Sequence, residues 1–366
     1  MPVTTRSLLV RRVNGVGKKS ITSLRYDHSK QQVINTSCFC LPKPPIIIGV
    51  GIGPNTLLYS LDDGLTWTGL GNTIFEGGGT CAVWNGTIWA SGGTGFINAV
   101  AYSYDGINWT GVGAISTGPS SNVTSCSSMV WTGTYFVGVY LDIVIRSLDG
   151  ITWEGLSGVT AGQLINRIAT NGSRIVGIPL VESASYLSIS DDQGGSFYSL
   201  TIPEVPNDNS NAFFDILWDG TKFIVTIADR TDPLSNPSAP PLTFSKLYSP
   251  DGITWTPIPN VAYKSGNNIG FKSPSLYISR GIDPNSTERS TDGINWVSVS
   301  DPVLDAFVFN ANGKGTIFSS QKYIFICGLI TSNNYIYSPD GLTWTLSSTN
   351  VDGKFNSGFS TKPLPS

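Results

Sequence analysis

The sequence predicts an all-β fold, a seven-bladed β-propeller of four-stranded antiparallel blades preceded by an N-terminal basic extended arm. Two observations predict it. The stretch YSLDDGLTWTGLG, residues 59–71, is the first of seven related copies whose serines are 41 to 59 residues apart, and a four-stranded propeller blade has about 40–50 residues. The chain is also rich in turn residues, with 41 Gly and 22 Pro, at 40% hydrophobic and 13% charged residues. That composition is typical of a folded, turn-rich protein.

The second copy shows four strand-like segments in one repeat unit. In order they are TCAVW (80–84), TIWASGG (87–93), AVAYSY (99–104) and INWTGVG (107–113). Asn85-Gly86 separates the first two segments and Asp105-Gly106 the last two, and such pairs favour two-residue hairpin turns. We name these strands A to D, from the central channel outward, and call the repeated motif at each C–D turn the box.

The residue types of each box predict that it stabilises the C–D turn. The Asp side chain can accept backbone N–H groups across the turn, Gly supplies a left-handed conformation, and the aromatic residue packs against the sheet or its neighbour. Burial of each aromatic ring contributes about 2–3 kcal/mol. The predicted structural residues are Asp62, Asp105, Asp149, Asp192, Asp251, Asp292 and Asp340, with Trp67, Trp109, Trp153, Trp255, Trp296 and Trp344, and Phe197 in the fourth box.

The boxes resemble the Asp-box, or bacterial neuraminidase, repeat S-x-D-x-G-x-T-W. SLDDGLTW (60–67) matches in full, SDDQGGSF (190–197) matches with Ser and Phe replacements, and the other five copies lack one residue. The resemblance covers residues 46–366 and implies a propeller. Such propellers include sialidases, other glycoside hydrolases, sorting receptors, photosystem assembly factors and giant-virus proteins, so the resemblance implies a fold more than a function.

The predicted domains are a basic arm and linker, residues 1–45, and the propeller, residues 46–366. Pro42, Pro44 and Pro45 mark the boundary. The first blade lacks an evident strand A, because IIIGVG (46–51) matches strand B of other units. We expect the C-terminal segment near residues 354–360 to supply it and so close the ring; residues 31–39 are the alternative donor.

Charge is distributed unevenly. Residues 1–45 carry eight Lys or Arg and one acidic residue, Asp27, whereas residues 46–366 carry a net charge of −10. The arm, with Arg11, Arg12, Lys18 and Lys19, is therefore predicted to dock onto an anionic protein assembly. Nucleic acid is not expected as a partner except through this segment. The alternative is a solvated tail.

Neither a membrane span nor a secretion signal is expected, since the longest N-terminal apolar run is Leu8-Leu9-Val10. No cofactor or metal is expected either. The single His28 lies in the arm, and the five Cys are irregularly spaced. On resemblance to giant-virus propellers we expect a virion-associated or surface-displayed protein. Residues 1–26 contain no acidic residue, so an organelle assembly factor with a transit-like segment is an alternative.

The predicted function is non-enzymatic binding, with a protein or a glycan on the face of the B–C loops. The long segment 229–243 should stand on that face and offers Asp229, Arg230 and Asp232 as binding residues.

The alternative is a sialidase-type glycoside hydrolase. The family resemblance implies an arginine triad and a Tyr–Glu pair, and the candidates here are Arg167, Arg230, Arg280, Tyr186 and Glu182. The family's F/Y-R-I-P motif is missing from this sequence.

Overall fold

A computed structural model describes most of the propeller and three short stretches before it. The described residues are 8–11, 21–27, 32–37, 46–118, 121–181, 184–205, 211–229, 244–259, 268–280, 286–307, 316–327, 335–347, 354–355 and 360–361. The chain divides into two compact units, Met1–Pro45 with Leu364–Ser366, and Ile46–Pro363. Within the segment predicted as an extended arm, Leu8–Arg11, Ile21–Asp27 and Gln32–Ser37 form a three-stranded antiparallel sheet.

The second unit contains seven four-stranded antiparallel blades in chain order, as the sequence predicts. Blade 2 consists of Gly78–Trp84, Trp89–Thr94, Val100–Ser103 and Thr110–Gly111. Blade 3 consists of Ser128–Trp131, Phe136–Tyr140, Ile143–Ser147 and Glu154–Leu156. Blade 4 consists of Ile165–Thr170, Ile175–Pro179, Tyr186–Ser190 and Tyr198–Thr201.

The remaining complete blades repeat the order A-B-C-D. Blade 5 consists of Asn211–Trp218, Phe223–Asp229, Phe244–Ser249 and Thr256–Pro259. Blade 6 consists of Asn268–Lys272, Leu276–Arg280, Thr287–Ser290 and Trp296–Ser298. Blade 7 consists of Thr316–Ser319, Ile324–Cys327, Tyr335–Ser338 and Thr345–Leu346. In the described part of the chain, two further elements lie between blades: a hairpin, Ile115–Gly118 with Ser121–Val123, and a short helix, Pro302–Ala306.

Blade 1 is completed by the C-terminal segment. Its own strands B to D are Ile47–Ile52, Leu57–Ser60 and Thr68–Gly69. Two short strands, Lys354–Phe355 and Ser360–Thr361, pair antiparallel with Ile47–Ile52 in the place of strand A. The expectation that the C-terminal segment closes the ring is confirmed, and the alternative donor, Gln32–Ser37, pairs instead within the N-terminal sheet. Closure in this way covers a sheet edge that would otherwise be exposed.

The hydrophobic core lies between the blades. The buried apolar residues form seven clusters, one at each interface between neighbouring blades. Every cluster contains the aromatic residue of one box, and that residue packs against the preceding blade: Trp67 on blade 7, Trp109 on blade 1, Trp153 on blade 2, Phe197 on blade 3, Trp255 on blade 4, Trp296 on blade 5 and Trp344 on blade 6. The boxes therefore join blades as well as closing hairpins.

Hydroxyl groups join the inner strands, which contact one another around the centre. Ser127 Oγ donates to the carbonyl of Asn166 at 3.0 Å, from blade 3 to blade 4. Ser319 Oγ donates to the carbonyl of Phe271 at 2.7 Å, from blade 7 to blade 6. These bonds satisfy backbone groups that one sheet alone cannot pair.

Candidate functional site

The propeller has two faces with different contents. The A–B and C–D turns lie at one end of the blades, which we call the box face. The B–C loops and the connections from each strand D to the next strand A lie at the other, which we call the loop face. Antiparallel order fixes this division, because consecutive turns of a meander alternate between the two ends of a sheet.

A box turn is a closed hydrogen-bond network. In blade 5, Ser249 Oγ donates to Asp251 Oδ1 at 2.9 Å and accepts the N–H of Gly252 at 2.8 Å. The N–H groups of Ile253 and Thr254 also donate to Asp251 Oδ1, each at 2.8 Å. All seven boxes share the bond from the Ser hydroxyl to the Asp carboxylate and the bond from the Gly N–H to the Ser oxygen.

The box carboxylates are held in their ionised form. The backbone N–H groups of Ile253 and Thr254 lower the pKa of Asp251 to about 2. For Asp62, partial burial raises the pKa, but hydrogen bonds from Thr66 and Ser60 outweigh it and the pKa is lowered. A carboxylate committed to a turn at neutral pH is a poor general acid. The hydrogen bonds hold these carboxylates within their own turns.

Two boxes contain one residue more than the other five. The extra residue adopts a left-handed conformation in both, with φ of 63° at Asp63 and 61° at Gln193. Asp63 is also bound by Lys322 Nζ at 2.8 Å, from blade 7 to blade 1. The insertion thus costs backbone strain, and at blade 1 it also supplies an ion pair between two blades.

Several cations on the box face bind the next blade. Lys272 Nζ donates to the carbonyl of Pro339 at 3.2 Å, and Arg289 Nε donates to the carbonyl of Asp340 at 2.8 Å. Arg174 binds both Asp191 of its own blade and the carbonyl of Asp251 in blade 5. These side chains are used in joining blades.

Two candidate arginines of the hydrolase hypothesis lie among the described residues, and both are bound by other groups of the same chain. Arg167 Nη1, on strand A of blade 4, lies 3.1 Å from Asp215 Oδ1 on strand A of blade 5. Asp215 Oδ2 accepts the N–H of Ile269 at 3.1 Å, so it connects three blades. Arg280 is buried, and its guanidinium donates to the carbonyls of Leu304, at 2.9 Å, and Phe307 at the end of the short helix.

The other predicted site residues are dispersed or lie outside the described residues. Tyr186 begins strand C of blade 4, Asp229 ends strand B of blade 5, and Arg11 ends the first strand of the N-terminal sheet. Arg12, Lys18, Lys19, Glu182, Arg230 and Asp232 lie outside the part of the chain that the structure describes. Among the described residues, the Arg167 side chain donates to Asp215 and forms no hydrogen bond with the Tyr186 side chain.

The loop face carries an apolar pair that the sequence analysis missed. Phe96 and Ile97, in the B–C loop of blade 2, are 94% and 65% exposed. Ile52, at the end of strand B in blade 1, is also exposed and lies against Gly78 at the start of blade 2. A detectable signal existed, because the strands predicted at 87–93 and 99–104 leave these apolar residues in the loop between them. Exposed apolar groups of this size are a feature of docking surfaces.

This loop is held from several sides. The N–H of Gly95 donates to the carbonyl of Thr124 at 3.1 Å, and the N–H of Phe96 donates to Glu76 Oε2 at 3.1 Å. Asn98 accepts the N–H of Gly113 at 2.9 Å and donates to the carbonyl of Ile74 at 3.2 Å. The apolar side chains are therefore presented by a backbone fixed in place, which lowers the entropy lost on binding.

Neither a metal site nor a membrane-spanning helix is found among the described residues. No three His, Cys, Asp or Glu side chains come together as a metal site within the described ranges. No helix in that part of the chain has the length and apolar content to cross a membrane. Cys81, Cys126 and Cys327 are buried free thiols, and burial raises the pKa of Cys327 well above its usual value.

The chain is similar in fold to several solved β-propeller proteins. The extracellular domain of the putative hybrid two-component system BT4673 from B. thetaiotaomicron has 11% identity and a TM-score of 0.52, over 84% of this chain and 38% of that one. YCF48 bound to D1 peptide has 13% identity and a TM-score of 0.49, over 74% and 80%. The GH74 enzyme of Niastella koreensis has 12% identity and a TM-score of 0.35, over 91% and 62%.

These likenesses extend to the fold alone. Their sequence identities are low, and the set contains both an enzyme and a peptide-bound protein. No family model matches the chain, and no curated protein matches it. The class defined by fold is the seven-bladed β-propeller, and its activity has to be argued from the site.

Proposed function

We propose that this chain is a non-enzymatic binding propeller whose loop face takes a protein partner. The observation that carries the proposal is the exposed pair Phe96 and Ile97 on a loop fixed by hydrogen bonds to Glu76, Thr124 and Gly113. A rigid loop with an aromatic anchor is the arrangement that interface hot spots favour. We propose further that the seven boxes are Asp boxes with a purely structural role, supported by their shared hydrogen-bond network.

The absence of enzymatic activity is part of the proposal. Arg167 is paired with Asp215, and Arg280 binds two carbonyl groups, so both guanidinium groups already have partners within the protein. We expect no turnover of a fluorogenic sialoside between about pH 4 and pH 8, where carboxylate acid–base pairs work. Turnover that is lost in Arg167→Ala would favour the hydrolase alternative.

The basic N-terminal segment is proposed to attach the protein to an anionic assembly such as a virus particle. The support is its charge, eight Lys or Arg against one Asp within residues 1–45. A full-length variant with Arg11, Arg12, Lys18 and Lys19 all replaced by Gln should elute from heparin at clearly lower salt. Unchanged elution would count against this part of the proposal.

A displayed random-peptide library, selected on the immobilised full-length protein, tests the binding proposal. Selected peptides should lose binding to Phe96→Ser but bind Leu148→Ser normally. Leu148 is a matched control, because it is 60% exposed and lies in a box turn on the opposite face. No selected peptide, or peptides equally sensitive to both variants, would contradict the proposal. Binding of glycans alone on a glycan array would replace the protein partner by a carbohydrate.

A further inference from the structure

The charged groups around Phe96 and Ile97, which we call the apolar anchor, indicate the chemistry of the partner. We infer that the loop face binds a basic polypeptide segment in which Lys or Arg residues flank apolar ones. This inference rests on the proposed function and adds the class of ligand. It is argued from the position of the carboxylates and of the cations of the propeller.

Glu76 is the carboxylate beside the anchor. Its Oε2 accepts the N–H of Phe96 at 3.1 Å, and its side chain is exposed. In the described part of the chain no Lys or Arg forms an ion pair with Glu76. A cation placed next to the Phe96 ring would therefore meet an unpaired carboxylate and an aromatic face together, and both attract it.

Other carboxylates extend the acidic character across the loop face. Asp142, in the B–C loop of blade 3, and Glu204, after blade 4, are exposed, and neither forms an ion pair among the described residues. Leu180 and Val181, in the B–C loop of blade 4, add exposed apolar surface. The loop face thus carries both apolar groups and carboxylates between blades 1 and 5.

Most of the described cations lie away from these carboxylates, and Arg280, which is buried at the loop-face end of strand B in blade 6, binds the carbonyls of Leu304 and Phe307. Lys222 lies in an A–B turn and binds Asp219, and Lys322 lies in another and binds Asp63, so both are on the box face. Lys246 is buried between blades, and Arg167 pairs with Asp215. In sequence, residues 46–366 hold 24 acidic and 14 basic residues. On the loop face, Glu76, Asp142 and Glu204, which form no ion pair among the described residues, would attract a basic partner and repel an acidic one.

The experiment compares three short peptides on the full-length protein: acetyl-RLVRRL-amide, acetyl-QLVQQL-amide and acetyl-ELVEEL-amide. They share their apolar residues and differ in charge. Calorimetric titration should show binding of the basic peptide, binding about tenfold weaker for the neutral one, and none for the acidic one. The affinity of the basic peptide should fall as salt rises.

Two variants test whether the preference for the basic peptide arises from the carboxylate beside Phe96. Glu76→Gln keeps an acceptor for the N–H of Phe96. It should weaken the binding of the basic peptide alone, so that this peptide binds no more tightly than the neutral one. Glu154→Gln changes net charge equally but lies on an outer strand D, where Glu154 pairs with Arg146, so it should leave affinity unchanged.

The outcomes separate the inference from the proposed function. Equal or stronger binding of the neutral or acidic peptide, lost in Phe96→Ser, would overturn the basic-ligand inference and leave the docking face standing. The absence of binding by all three peptides would overturn the inference. Failure of the displayed library as well would overturn the proposed function too.

Discussion

Lys246 and Glu288 form an ion pair buried between blades 5 and 6, with their side chains 3% and 1% exposed. Lys246 lies three residues before one box serine, and Glu288 lies two residues before the next. Four other interfaces hold apolar pairs at the equivalent positions: Leu57 and Ala101, Val100 and Ile145, Leu187 and Leu247, and Tyr335 and Leu58. Lys246 Nζ also lies 4.6 Å from the centroid of the Trp296 ring. One interface of the ring thus uses charge where others use hydrophobic packing.

Removal of one partner of this ion pair should be costly. Lys246→Met removes the ion pair of the buried Glu288 carboxylate and should lower the free energy of unfolding by about 3–5 kcal/mol. The double variant Lys246→Met with Glu288→Leu should recover most of that loss, because it recreates an apolar pair. Thermal and urea unfolding of the three proteins measure both effects. A double variant as unstable as the single one would show that the ion pair itself is required.

The box aromatic should tolerate loss of its N–H better than loss of its ring. Trp255 is buried against blade 4, and its Nε1 donates to the carbonyl of Gly252 at 3.3 Å. Trp255→Ala should cost about 3–5 kcal/mol, and Trp255→Phe should cost clearly less, since Phe197 fills the same place in blade 4. Melting temperatures of the two variants test this, and similar losses would contradict it.

A box glycine should be sensitive to substitution for two separable reasons. Gly293 has φ of +75°, and an added Cβ would lie 2.7 Å from Ile224 Cδ1 in the preceding blade. Gly113 has a similar φ of +84° but open space around it. Both Ala variants carry backbone strain, so the additional drop in melting temperature of Gly293→Ala measures the blade contact. Equal drops would mean that backbone strain alone decides.

Stability should fall in acid because the turn carboxylates must take up protons. Asp251 has a pKa of about 2, lowered from 3.8 by backbone N–H groups. For Asp219, burial raises the pKa, but bonds from Lys222 and Tyr277 outweigh it and bring the pKa to about 2. Since the folded pKa lies below the unfolded value, this stabilisation is complete above about pH 4 and is lost towards pH 2.

Melting temperature measured over that pH range checks the effect. Asp251→Asn should lower stability at neutral pH and flatten the dependence on pH, because one of the titrating groups is gone. A melting temperature constant between about pH 4 and pH 2 would contradict a role for these carboxylates in stability.

The closing segment should contribute to the stability of the whole ring. Deletion of residues 352–366 removes both strands that pair with Ile47–Ile52 and exposes that strand as an edge. We expect a lower melting temperature and self-association. Deletion of residues 362–366 alone keeps both strands and serves as the control. An unchanged melting temperature in the longer deletion would show that blade 1 does not need its fourth strand.

The fold was predictable because each of the seven boxes is stabilised by residues that are close together in sequence. Ser, Asp and Gly within one turn determine a network that needs no distant partner, as at Ser249 and Asp251. Contacts between blades were less accessible. The sequence left open whether each box aromatic packs on its own sheet or on a neighbour, and nothing in the spacing indicates that Arg280 binds carbonyls 24 and 27 residues further along the chain.

The candidate site was predicted less well. Charge in the sequence indicated Arg167 and Arg280, which have partners within the protein, and gave no indication of Phe96. Exposure decides the role of an apolar residue in a loop, and a sequence does not give exposure directly. The predicted loop at 229–243 lies largely outside the described residues, and its binding role stays a prediction.

Hydrogen–deuterium exchange of the full-length protein, with and without a library-selected peptide, tests the docking face most directly. The account predicts slower exchange in the bound state around residues 74–77 and 95–98, and no change in the box turns around Leu148. Protection confined to the box turns, or spread equally over both faces, would contradict the division of this propeller into a face that joins its blades and a face that binds.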